Sequence, residues 1–171
     1  GGGTVHIDHL VISRFGIFVI ESQYARGWVS GGEFQARWKQ QQWGRTALFD
    51  NPVHRNTVQV EALSKLLDYP ARVFHPVVVL VGQKGLKNGM PARVLPAEQV
   101  ISAIRKRGQP VLDAEQADRA LTEIDKARLR STGWDSTVKL NLVRFDHSSF
   151  DPVLLRLVKE PVDFVRLRRD L

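Results

Sequence analysis

Two carboxylates sit where carboxylates are uncommon. Asp8 and Glu21 both fall inside otherwise apolar, β-branched runs of His6–Gln23, HIDHLVISRFGIFVIESQ. An acid in such surroundings is rarely buried without a partner or a metal. Carried on adjacent strands, two of them can hold a hard divalent cation through oxygen. The same residues allow plainer arrangements: acids facing solvent at a sheet edge, or salt bridges to Arg14 or a histidine. Residue type alone leaves these open.

The elements that must bring the two acids together are a pair of strands and a tight turn, Ser13-Arg14-Phe15-Gly16. Strand side chains alternate with period two. Ile7, His9, Val11 and Ser13 should therefore share one face, and His6, Asp8, Leu10 and Ile12 the other. On the second strand Ile17, Val19, Glu21 and Gln23 share a face. His9 should point away from Asp8 and serve packing or a hydrogen bond, while His6 lies on the face of Asp8.

Downstream, Tyr24 to Gly27 reads as a turn and Trp28 to Ser30 as a short strand. Phe34 to Gln42 and Thr46 to Phe49 read as extended, giving an antiparallel meander. Asn51 can cap a helix that Pro52 opens. Val60, Leu63 and Leu67 mark its apolar stripe, and it should end before Pro70. Val73 to Val81 is β-branched and flanked by Pro70 and Gly82, the pattern of a strand buried on both faces. Gln83 to Gly89 reads as a loop; Lys87 stands where a Walker loop needs glycine. A short strand, Ala92 to Leu95, and a helix, Ala97 to Arg107 closed by Gly108, follow. Asp113-Ala114-Glu115-Gln116 resembles a capping box for a helix to about Arg130. Thr137 to Leu142 alternates like a strand. Asp146 to Asp151 reads as a polar turn before a helix start at Asp151-Pro152, and the tail from Val153 is ambiguous. Strands followed by alternating helix and strand indicate an α/β domain with a mixed sheet flanked by helices.

Composition narrows the function. At 171 residues and 43% hydrophobic, one compact domain with an appendage is expected. No run approaches the ~18 to 20 apolar residues of a membrane span, so no membrane partner is expected. No charged start leads into an apolar stretch, so no secretory signal is expected either. Zero cysteines exclude disulfides and thiolate metal sites and fit a cytoplasmic setting. No Ser-His-Asp string or nucleophile elbow argues for acyl transfer. A net charge of +7 and a pI near 10.1 favour an anionic partner. The basic residues cluster as Arg37, Lys39 and Arg45 among Trp38 and Trp43, then Arg105 to Arg107, then Arg166, Arg168 and Arg169. The first cluster can bind a phosphate backbone and stack on unpaired bases, although each tryptophan taken singly is better read as packing.

The strings Gly2 to Ser13, Gly16 to Glu21 and Gly27-Trp28-Val29-Ser30-Gly31, with Asn51-Pro52-Val53 opening a helix, resemble the nuclease-related domain, NERD, of the PD-(D/E)XK nuclease superfamily. The likeness is good over residues 3 to 63 and weaker to about 108. It implies a restriction-endonuclease-like core over 1–108, lacking its usual first helix, with residues 109–171 as a C-terminal extension packed on it. A fusion or partner domain could supply that helix. It also implies metal-dependent hydrolysis of DNA, with Asp8, Glu21 and the backbone carbonyl of Ser22 binding Mg²⁺ or Mn²⁺. Two departures stand out. The family usually reads Glu-x-Lys at the second site, where this chain has Glu21-Ser22-Gln23, and often carries glutamine where this chain has Arg55. Gln23 can hydrogen-bond a water but brings no charge, and Arg55 can contact phosphate. The competing expectation is a catalytically degenerate module that binds nucleic acid or a protein partner.

Overall fold

The computed structural model describes residues 4–127, 142–144 and 165–168. Its centre is a seven-stranded mixed sheet organised on one long strand, β3 (Gly16–Ser30). β2 (His9–Ser13) lies antiparallel to the first half of β3, and β4 (Arg37–Gln42) antiparallel to the second half. β5 (Arg45–Asp50) extends the meander from β4. On the other side β6 (Phe74–Leu86) runs parallel to β3 along its length, followed by β7 (Val94–Pro96). β8 (Leu142–Arg144) pairs parallel with β2. β1 (Thr4–Ile7) pairs antiparallel with β9 (Val165–Arg168) in a separate two-stranded sheet.

The helices flank this sheet, as an α/β domain requires. α1 (Pro52–Leu67) is capped by Asn51, whose Oδ1 accepts from the Val53 amide at 2.9 Å. Asn51 Nδ2 donates to the carbonyls of Glu33 and Gln35 at 2.9 and 2.8 Å. One side chain thereby starts the helix and fixes the loop before β4. α2 (Val100–Arg105) follows a 3₁₀ turn over Ala97–Gln99. α3 (Ala114–Ala127) opens with reciprocal bonds: the Gln116 amide donates to Asp113 Oδ1, and the Asp113 amide to Gln116 Oε1. This is the capping box expected from the sequence.

Burial divides the two faces of β3. Ile17 and Val19 pack with Leu63 and Leu67 of α1 and with Ala120 and Ile124 of α3. Phe18 and Ile20 pack on the opposite face with Val77, Val79 and α2 residues Val100 and Ile104. Val77 to Leu80 on β6 are all buried, which explains their β-branched run. Ala25 and Val29 continue the α1 face of β3 into a third cluster with Val53, Trp38 and Leu80.

Several local expectations are corrected. Alternation does not run through Asp8. The chain bends there, ending β1 and starting β2, so Ile7 packs in the same cluster as Leu10 and Ile12. Tyr24 to Gly27 is no turn: β3 continues, with register shifts beside Gly27. Gly27 has φ 74°, and a Cβ there would overlap the Gln41 carbonyl, so a glycine can mark a bulge as readily as a turn. Residues 34–36 precede β4 instead of belonging to it. β6 extends through Leu86 into the expected 83–89 loop. α2 ends at Arg105, with Lys106 as its C-cap, so Gly108 does not close it. The end of the α3 helix near Arg130, most of the strand expected over 137–142, the 146–151 turn, the helix start at Asp151-Pro152, the tail from Val153 apart from β9, and Arg169 lie outside the described residues, as do the side chains of Arg166 and Arg168. No described helix is long and apolar enough to cross a membrane.

Candidate active site

Asp8 lies at the bend between β1 and β2, on the side of the sheet that Leu10 and Ile12 share with Ile17 and Val19 of β3. Its carboxylate reaches across to β3, where Oδ2 accepts a hydrogen bond from the Ser22 amide at 2.7 Å. Asp8 Oδ1 lies 3.8 Å from His6 Nδ1. Glu21 arrives by ordinary strand geometry: it follows Ile17 and Val19 on the face that packs against α1. The two acids are 8% and 5% exposed. Both line one open cleft of about 540 Å³ with Gln23, Arg55 and Gln59.

α1 supplies the partners of Glu21. Arg55 Nε lies 2.8 Å from Glu21 Oε1, and Gln59 Nε2 donates to Oε2 at 2.6 Å. The two helix residues are one turn apart and so share a face. Gln59 Nε2 also donates to the His6 carbonyl at 2.9 Å, tying β1 to the same point. Arg55 Nη2 donates to Gln23 Oε1 at 2.7 Å, while Gln23 Nε2 donates to the Tyr24 carbonyl. Below them Asn56 is fully buried, donating to the Val19 carbonyl at 2.9 Å and to Gln59 Oε1 at 3.1 Å. The guanidinium of Arg55 thus bridges Glu21 and Gln23, and Asn56 and Gln59 hold the inner end.

Electrostatics show the cost of this arrangement. Burial pushes the Glu21 carboxyl up to about 7, and the neighbouring Asp8 carboxylate adds to the rise. Arg55 and the Gln59 hydrogen bond pull it down without restoring the ordinary value. The site is short of positive charge, and its donors are carboxylate oxygens. That suits a hard divalent cation. Among the described residues no group of three or more His, Asp or Glu side chains converges, so any cation here would draw on two carboxylates and backbone oxygen such as that of Ser22.

Of the residues singled out in the sequence, Asp8, Glu21, Ser22, Gln23 and Arg55 meet in the cleft. Arg37, Lys39 and Arg45 do not. Arg37 pairs with Asp50, and all three lie on the β4–β5 hairpin. His9 pairs with Ile20 in the strand register, on the face away from Glu21. Asn56 and Gln59 were missed. Their signal was the apolar stripe of α1: stepped back by three and four from Leu63, it lands on Gln59, Asn56 and Val53, all buried. Two polar residues on a buried helix face need partners, and here those partners are the site.

Comparison with known proteins adds three findings. Residues 1–81 match the family described as nuclease-related domain. An uncharacterized protein of Bacillus anthracis is 36% identical over 80 residues, which cover 44% of this chain and 38% of that protein. The chain thus matches well under half the length of this curated relative. No solved structure matches.

Proposed function

Since residues 1–81 match the nuclease-related domain family, we propose that this chain binds DNA and hydrolyses its phosphodiester bonds with Mg²⁺ or Mn²⁺ at the Asp8–Glu21 cleft. The observation that carries the reading is the pair of buried carboxylates converging at one end of α1. Asp8, Glu21 and the Ser22 carbonyl would hold the cation. When bound there, it lowers the pKa of a coordinated water and offsets charge on the scissile phosphate.

The chain's own residues divide the remaining tasks. Gln59 and Asn56 fix the orientation of Glu21 from the buried side. Gln23 brings no charge, but its Oε1 holds the Arg55 guanidinium at the cleft mouth, with Arg55 half exposed. A planar, permanently charged donor set beside an incoming phosphate opposes the negative charge that develops on it. On this reading Arg55 supplies from α1 the cation that Gln23 lacks on β3.

The test is supercoiled plasmid incubated with the full chain in Mg²⁺, Mn²⁺ or EDTA. Nicking should require the metal. Asp8→Asn and Glu21→Gln should reduce it by several orders of magnitude, because a metal supplies several kcal/mol of transition-state stabilisation. Cleavage persisting in both variants would move the site elsewhere. The Arg55–Glu21 ion pair favours a second reading, a binding module whose buried acid is neutralised by its own arginine. That reading expects DNA binding with no metal-dependent nicking.

A further inference from the structure

α2 covers only part of its face of the sheet. It packs over Phe18 and Ile20, and beyond them the same face of β3 continues through Tyr24, Arg26 and Trp28. Ala25 and Val29, between and beyond them, are buried on the α1 side. Tyr24 and Trp28 are 53% and 49% exposed, although the strand that carries them is the centre of the fold.

Both rings lie across glycines of β6. A Cβ at Gly82 would come within 2.7 Å of the Tyr24 ring, and one at Gly85 within 2.6 Å of the Trp28 ring. Each ring is thus supported beneath by bare backbone and open above. Cations surround them. The Arg26 guanidinium stands 5.5 Å from the Tyr24 ring centre, and its Nε donates to Tyr24 Oη at 2.8 Å. Strand pairing extends the face: Gln41 lies opposite Trp28, Lys39 opposite Ser30 and Leu48 opposite Lys39. Paired residues point to the same side of a sheet. Lys87 reaches the face by donating to Gln41 Oε1. Arg37 lies on it too, and its acid, Asp50, is already paired with Arg37.

We infer that this outer face of β3 and β4 binds unpaired nucleotides, with bases stacking on Tyr24 and Trp28 and phosphates meeting Arg26, Lys39 and Lys87. Exposed aromatic rings with cations beside them fit a single strand, because every base has a stacking face and every linkage a charge. The excess of cations favours a nucleic acid over an apolar segment of a protein. The face lies on the opposite side of the sheet from the Asp8–Glu21 cleft. The inference shares the nucleic-acid ligand with the reading above but needs no catalysis.

The experiment measures fluorescence anisotropy of a labelled twelve-nucleotide oligothymidylate with the full chain, in EDTA so that no cleavage occurs. The comparison probe is an abasic oligomer of the same length and charge. Oligothymidylate should bind at least ~10-fold more tightly than the abasic strand, and Tyr24→Ala or Trp28→Ala should each weaken it about 5- to 100-fold. Lys39→Gln should weaken both probes alike and flatten the salt dependence. Equal affinity for the two probes overturns the inference and requires no variant to fold. So does oligothymidylate affinity within twofold of the parent in both alanine variants. Metal-dependent nicking with no base-dependent binding refutes this face alone. Base-dependent binding without nicking refutes only the nuclease reading.

Discussion

Glu21→Gln removes the charge that the cleft tolerates least, and the consequence for stability has a definite sign and pH window. The carboxyl titrates at 4.5 when the chain is unfolded and at about 7 when folded. Between these values the folded state binds the extra proton, so folding stability falls as pH rises through the window. The shift of 2.5 pH units corresponds to about 3 kcal/mol at 1.36 kcal/mol per unit. Below pH 4.5 the acid is neutral in both states and contributes no difference. Above pH 7 the full penalty is present. Glutamine keeps the volume and one carbonyl acceptor and cannot ionise. It gives up the Arg55 ion pair, whose effect the value of about 7 already contains, and the guanidinium left behind is half exposed and can return to water. The variant should therefore exceed the parent by about 2 to 3 kcal/mol above pH 7, and by nothing attributable to this group below pH 4.5. For a chain of this size that is a melting-temperature gap of about 4–12 °C. Thermal melts of both proteins from pH 4 to 9, without divalent ions, check it; subtracting one curve from the other cancels the titrating groups remote from Glu21. Parallel curves, or a parent that gains on the variant as pH rises, would refute the placement of Glu21 as a buried, under-neutralised acid.

Adding Mg²⁺ above pH 7 should raise the melting temperature of the parent and leave Asp8→Asn unmoved, since a ligand stabilises only the state that binds it; equal shifts in both would place the ion elsewhere. Gln23→Lys should not by itself accelerate cleavage, because its ammonium would meet Arg55, whose Nη2 now donates to Gln23 Oε1. Combined with Arg55→Gln it should recover about 10-fold over Arg55→Gln alone in single-turnover rates on one labelled duplex, as a charge-assisted contact of about 1.5 to 3 kcal/mol allows. Asn51→Ala should cost about 2 kcal/mol in denaturant melts, a helix cap plus the lost bonds to the Glu33 and Gln35 carbonyls.

Local chemistry alone determined much of this protein. The hairpin at Ser13 to Gly16, the Asn51 cap, the reciprocal Asp113–Gln116 bonds and the buried run of β6 each follow from side-chain alternation, capping or β-branching over a few residues. The face of Glu21 followed in the same way, since period two holds along unbroken β3 from Ile17 to Gln23. Tertiary structure decided the rest. The bend at Asp8 brings Ile7 onto the face of Leu10 and Ile12 and so breaks the period on which a sequence reading depends, and the bond from the Ser22 amide to Asp8 is not legible from that period. Trp38 is buried while Trp43 is 82% exposed, although both stand among the same basic residues. Which tryptophan packs depends on the register between β4 and its neighbours, which composition does not carry. Arg55, Asn56 and Gln59 gain their meaning only when α1 is laid across β3, 32 or more residues away in the chain. A carboxylate's environment is set by which groups reach it in space, and those groups come from strands and helices whose distance along the chain says nothing of their contact.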